Sequence, residues 1–222
     1  LCFLVDLGKK ETKTYQVQLY QEGEQAQYPA RTFAELCLPS KNKKLAKNKQ
    51  DIYLRSISFD KKTKDVYHYV HSHGVCFESE LVAMRVYFDH RQTIDLYGKI
   101  NKGLVVYDTQ FYPTDEQIQA GSGDDCLWVG NTYGLGALRG WDGKNQLHFN
   151  DVRYQEQRVI SEGPLRAIVE VVDNGVAAMA ATGQQARMMA STSWRQWAWE
   201  STCHSRPWLA RNQPTRIAIL RW

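Results

Sequence analysis

The chain has 222 residues, 43% of them apolar and 23% charged, which excludes a disordered or collagen-like polypeptide and suffices for one large domain. No apolar run approaches the ~20 residues that span a bilayer, because Asp6, Gly8, Lys9 and Lys10 interrupt the opening Leu1 to Val5. The net charge of +4 carries no nucleic-acid signature: residues 1–172 hold 22 basic and 22 acidic side chains, and the excess comes from six arginines against Asp173 and Glu200 beyond them.

In chain order, residues 14–20 alternate, with Tyr15, Val17 and Leu19 on one face, and predict a half-buried strand. Residues 32–38 and 51–59 predict two more, flanking a solvated basic loop at 41–49. The clearest pattern lies at 82–97. Val82, Met84, Val86 and Phe88 share one strand face and Arg85, Tyr87 and Asp89 the other; His90-Arg91-Gln92 makes a hairpin connection; Ile94 and Leu96 return opposite Asp95 and Tyr97. Pairing of the two strands brings Arg85 and Tyr87 to Asp95 and Tyr97 across one sheet face. Strands are also predicted at 104–108, 152–160 and 165–172, and one helical turn at 114–120 with Thr114 as cap. The fold class is all-β, an antiparallel β-sandwich.

The last fifty residues differ in kind. All Lys, Tyr and Phe lie before residue 173, whereas Trp194, Trp197, Trp199, Trp208 and Trp222 follow it. The reading is one sandwich domain, incomplete, over 1–175, and an aberrant, frameshifted or otherwise non-native tail over 176–222 with few tertiary contacts; a real appendage or linker is the alternative. Five cysteines (2, 37, 76, 126, 203) form no zinc-ligand spacing and read as free thiols.

Two regions carry candidate chemistry. His68, His71 and His73 stand within six residues ahead of a strand, and imidazoles there offer acid–base catalysis. A metal held with Glu78 or Glu80 is the competing reading; no metal or cofactor is assigned. Two glycine-rich stretches, 121–125 and 130–136, read as loops presenting Asp124, Asp125 and Tyr133, followed by Arg139, Trp141 and Asp142, a set suited to sugar hydroxyls and ring faces. The second lacks the GxxxxGK[ST] ending of a phosphate loop, and no GxSxG or HExxH is present.

Taken together, the segments His71 to Leu81, Arg85 to Asp89, Gln92 to Lys99, Tyr112 to Gln117, Gly123-Asp124-Asp125, Gly140-Trp141-Asp142-Gly143 and Gly163 to Arg166 resemble the bacterial family called domain of unknown function 4861, over about residues 14–175. The resemblance implies a supersandwich like that of galactose mutarotases, in exported or periplasmic proteins of polysaccharide-degrading bacteria. It implies action on oligosaccharides, uronate-containing ones among them, by elimination or dehydration. The expected roles are His71 or His73 as base, Tyr97 or Tyr133 as acid, and Arg85 or Arg166 as the clamp on the sugar carboxylate, with Tyr87, Asp124, Asp125 and Trp141 as further sugar contacts. The alternative is a non-catalytic glycan-binding sandwich stacking sugars on Trp128, Tyr133 and Trp141. The partner is then an oligosaccharide or polysaccharide, with neither nucleic acid nor membrane expected.

Overall fold

A computed structural model describes residues 3–23, 26–40, 51–60, 66–109, 112–127, 130, 132–137, 140–141, 144, 146–147, 154–174, 185–193 and 196–204. The chain lays down β1 (Thr32–Glu35), β2 (Cys37–Leu38), β3 (Ile52–Tyr53), β4 (Ser56–Asp60), β5 (Gly74–Ser79), β6 (Val82–Tyr87) and β7 (Ile94–Gly98). Two short helices, α1 (Val106–Thr109) and α2 (Asp115–Gln119), precede β8 (Asp124–Asp125) and β9 (Gly140–Trp141). β10 (Gln146–Leu147), β11 (Tyr154–Ser161), β12 (Arg166–Asn174), β13 (Gln185–Ser193) and β14 (Gln196–His204) complete the order. A first sheet runs β1-β5-β6-β7-β8 and a second runs β14-β13-β12-β11-β4; β2 with β3 and β9 with β10 form two small ladders.

Strand alternation decides what lies between the sheets. Val75 and Phe77 of β5, Met84 and Val86 of β6 and Ile94 of β7 pack with Val159 of β11 and Ala167, Val169 and Val171 of β12 in one buried cluster. The intervening residues of the first sheet face the other way, beneath a layer built by α1 and its neighbours: Cys76, Ala83 and Tyr97 pack there with Val106. The first sheet is thus buried on both faces, one apolar and one polar. A fully buried amide fastens the sheets together, since Gln157 of β11 accepts from Val75 N at 2.7 Å and donates to Val86 O at 3.1 Å.

The expected hairpin forms with Arg85 opposite Asp95 and Ala83 opposite Tyr97. Three expectations are corrected. Residues 14–20 make no ladder, and Val17 and Leu19 are 61% and 89% exposed; alternation yields a strand only where an edge and a covering layer receive it. Residues 104–108 turn into α1 because the buried Glu78 carboxylate accepts from the amides of Val105 and Val106, at 2.9 and 3.1 Å, and fixes a helical start. In the tail, β13 pairs along β12 and β14 along β13, so the described residues 185–193 and 196–204 extend the second sheet instead of standing apart.

Gly74 marks a close approach between backbones, since a Cβ there would lie 1.9 Å from Val86 O. Gly74→Ala is therefore expected to lower stability by about 1–3 kcal/mol, the cost of overpacking. Gly103→Ala, whose Cβ would meet nothing within 4 Å, should change it by less than about 0.5 kcal/mol. Urea denaturation of both variants checks the contrast.

Candidate active site

The polar face of the first sheet is organised in cross-strand rows. In one row Glu35 of β1 lies opposite Cys76 of β5, Cys76 opposite Arg85 of β6, and Arg85 opposite Asp95 of β7. Arg85 is 1% exposed, and a guanidinium taken out of water must be matched by charge and hydrogen bonds. Its Nε and Nη2 both donate to Asp95 Oδ2, at 3.2 and 2.9 Å, and Nη2 also donates to Tyr87 Oη at 2.7 Å. Asp125 of β8 places Oδ2 3.6 Å from the same Nη2, an ion-pair separation beyond hydrogen-bond length. Arg85 Cζ stands 4.6 Å from the Tyr87 ring centroid and 4.8 Å from that of Tyr112, within cation–π range of both.

These groups open onto a cavity of about 210 Å³ lined by Arg85, Tyr87, Asp95, Tyr112 and Asp125. Arg91 lines it too, its guanidinium on Asp89 and 5.3 Å from the Tyr87 ring centroid. The second glycine-rich stretch contributes Gly130 and Thr132. It is held against the start of β7 by Leu135 N donating to Ile94 O at 2.8 Å and Ile94 N to Gly136 O at 3.0 Å. Gly134 makes that contact in the left-handed region, φ +56, where a Cβ would sit 2.3 Å from Ile94 O.

The environment sets the protonation of the lining. Burial pushes the Tyr87 phenol far above its ordinary range, with the Asp95 charge and the Tyr112 hydroxyl adding to the rise and Arg85 opposing it, so Tyr87 keeps its proton. Burial also raises the Asp125 carboxyl, and nearby Asp95 adds to the rise; the Leu127 amide, donating to Asp125 Oδ1 at 3.0 Å, and Arg85 oppose it.

The histidines divide. The turn at 71–73 carries Ser72 and His73 at φ 54 and 61, a left-handed conformation that costs free energy in non-glycine residues. It is held by His73 N donating to Val70 O at 3.1 Å and Phe88 N donating to His73 O at 2.8 Å. His71 is sealed inside, its Nδ1 bonded to Glu35 Oε1, which also accepts from Cys76 Sγ at 3.4 Å. Burial and the Glu35 charge push the Cys76 thiol well up, which leaves it unreactive. His73 stacks on Tyr87, with ring centroids 5.8 Å apart, and meets Tyr112 edge-on at 5.9 Å, behind the cavity and not in its lining.

Of the other expected site residues, Tyr87, Arg85 and Asp125 line the cavity together. Tyr97 does not: it is fully buried, with its hydroxyl donating to Gly123 O at 2.9 Å, so its proton is tied to the scaffold. Asp124 turns its Oδ1 onto Asp125 N at 2.7 Å and shapes the loop. Tyr133 is exposed outside the cavity lining. Arg166 is not brought to the cavity: it is exposed, and strand alternation sets it on the face of β12 opposite Ala167, away from the core between the sheets. The backbone of Trp141 is described in β9, and its side chain, like Trp128, Arg139 and Asp142, lies outside the described residues. Glu78 and Glu80, offered as metal partners to the histidines, are committed to Lys99 and Arg31. Sequence reasoning did not single out Asp95 or Tyr112 as lining residues. Asp95 was signalled by its place opposite Arg85, whereas Tyr112 precedes α2 in a loop without periodicity.

The model of the family described as Domain of unknown function (DUF4861) matches residues 1–197. The chain belongs to this family. The match runs past Gly175 through β13 and into β14, beyond the 14–175 span of the sequence resemblance. Neither the curated proteins nor the solved structures compared with this DUF4861 chain give a match.

The raised Asp125 carboxyl has a defined pH signature. Its native form holds a proton more readily than its unfolded form, so stability falls as pH rises from the ordinary aspartate value through the raised one. Asp125→Asn keeps the acceptor for the Leu127 amide and removes this loss. The variant should gain stability over the wild type across that window and keep the gain above it, as read from urea midpoints between about pH 3 and pH 8.

Proposed function

We propose that the protein acts on uronate-containing oligosaccharides by elimination or dehydration, in exported glycan degradation, on a sandwich of the galactose-mutarotase kind. The observation that carries this reading is the cavity in which Arg85 and Arg91 share the lining with Asp95, Asp125 and the phenols of Tyr87 and Tyr112. Elimination beside a sugar carboxylate needs three things. Positive charge must make the developing carbanion tolerable, a base must take the proton from the carbon next to the carboxylate, and an acid must protonate the departing oxygen. The arginines supply the first, and a phenol that keeps its proton supplies the third. Tyrosine faces also suit the apolar side of a pyranose ring, and the small volume fits one sugar unit of a chain better than an extended stretch.

A second reading, glycan binding without chemistry, is favoured by one observation: among the described residues, no histidine lines the cavity. One experiment separates the two. Incubation with uronate oligosaccharides followed by mass spectrometry should give, for an enzyme, either products lighter by one water or a cleaved pair carrying one unsaturated uronate. Binding alone leaves every mass unchanged. For the enzyme, Tyr112→Phe should lower kcat by about 10²-fold or more, the contribution of a positioned acid, with a smaller change in KM.

A further inference from the structure

We propose that Asp125 is the base of this site, the group that removes the proton from the carbon beside the sugar carboxylate. The inference rests on the elimination reading above and identifies a residue that sequence patterning had placed only among the sugar contacts.

The geometry narrows the choice. A base must reach the ligand, and the described residues lining the cavity offer four titratable side chains besides the arginines: Tyr87, Asp95, Tyr112 and Asp125. Tyr87 is held protonated by burial and is suited only to donation. Asp95 is engaged by the buried Arg85, whose Nε and Nη2 converge on its Oδ2. Tyr112 shares the hydroxyl contact with Tyr87 and belongs with it on the acid side. Asp125 differs. One oxygen is fixed by the Leu127 amide, while Oδ2 stands 3.6 Å from the guanidinium. Its side chain is 11% exposed, at the cavity wall.

The charges around Asp125 come from every element packed against it: Arg85 and Tyr87 on β6, Asp95 on β7, Asp124 beside it on β8, Tyr112 ahead of α2, and Arg91 in the β6–β7 connection. Partial burial and the Asp95 charge raise the Asp125 carboxyl above an ordinary aspartate, and the Leu127 amide and Arg85 oppose the rise. A carboxylate raised in this way is the stronger proton acceptor once it has lost its own proton.

The step balances within the site. Asp125 takes the proton, and the C–H electron pair forms the new carbon–carbon double bond. The bond from the adjacent carbon to oxygen breaks with its electrons on oxygen, and that oxygen leaves with a proton from the Tyr87–Tyr112 pair. Asp125 then returns its proton to solvent and the phenol is reprotonated from solvent, so no oxidant or reductant is consumed.

The test is deuterium exchange from heavy water into the carbon beside the carboxylate of a uronate oligosaccharide, read with turnover in the full chain. Asp125→Asn, expected to fold at least as well as the wild type, should lose exchange and turnover together by about 10²–10⁴-fold. Tyr112→Phe should lose turnover and retain exchange, and Asp125→Glu should recover part of both. In the wild type, kcat should rise with pH as Asp125 loses its proton and then level off. Full exchange in Asp125→Asn, or loss of exchange in His73→Gln with Asp125→Asn unaffected, overturns the assignment while leaving elimination standing. A wild-type chain that gives neither exchange nor product overturns elimination itself, and the assignment with it.

Discussion

A buried guanidinium sets the terms for one whole face of this protein. Arg85 lies in the middle strand of the five-stranded first sheet, closed off from water, and a charge in that position is tolerated only when its surroundings are built to meet it. Asp95 meets it from the neighbouring strand, Asp125 from the strand beyond, Tyr87 with its ring and hydroxyl, and Tyr112 with its ring. Removing Asp95, on which two Arg85 donors converge, is the kind of loss that costs about 3–5 kcal/mol, so the Arg85–Asp95 pair is also a stability commitment. The cavity lies beside it and shares Arg85, Tyr87, Asp95, Tyr112 and Asp125 as its lining.

The flanks of the same face show how far that polar design extends. Towards β1 the row continues through Cys76 to Glu35 and the sealed His71, a buried set that fastens the 71–73 turn to the sheet edge. One row along, Glu78 is fully buried, pairs with Lys99 and caps α1, and Lys99 donates to Ser79 O at 2.6 Å and Gly103 O at 2.5 Å. Burial lowers the Lys99 ammonium from its ordinary range and the Glu78 charge partly restores it, which marks an internal ion pair and not a surface one. The Glu78–Lys99 cluster ties α1 and Gly103 to the sheet, and the Arg85 group faces the cavity. The strained Ser72 and His73 fit the same logic, because their conformation sets His71 on Glu35 while His73 backs the tyrosine that bonds Arg85.

Legibility followed burial and local pairing. The β6–β7 hairpin could be read from the sequence because its alternation is strict and its connection short, and that alone placed Arg85, Tyr87, Asp95 and Tyr97 on one face. What alternation could not say was depth: Tyr97 shares the face with Arg85 yet lies under α1 with its hydroxyl on Gly123, outside the cavity. Residues 14–20 carry an equally regular pattern without a ladder, and 104–108 carry a strand-like composition that a distant carboxylate converts to helix. Both outcomes depend on partners remote in sequence. The histidine cluster was legible in part: His73 packs against Tyr87 beside Arg85, as its place ahead of that sheet face implied, whereas closeness along the chain gave no hint that a turn with two left-handed residues would send His71 to Glu35.

On the function proposed above, the ligand sits in the Arg85 cavity. A crystal structure of the protein with a bound uronate disaccharide tests it most directly. The expected result is a sugar ring against Tyr87 and Tyr112, its carboxylate towards Arg85 and Arg91, and the carbon beside that carboxylate within reach of Asp125 Oδ2. A saccharide seated elsewhere, such as the groove between Asn101 and Gln117, with the Arg85 cavity unchanged, would contradict it.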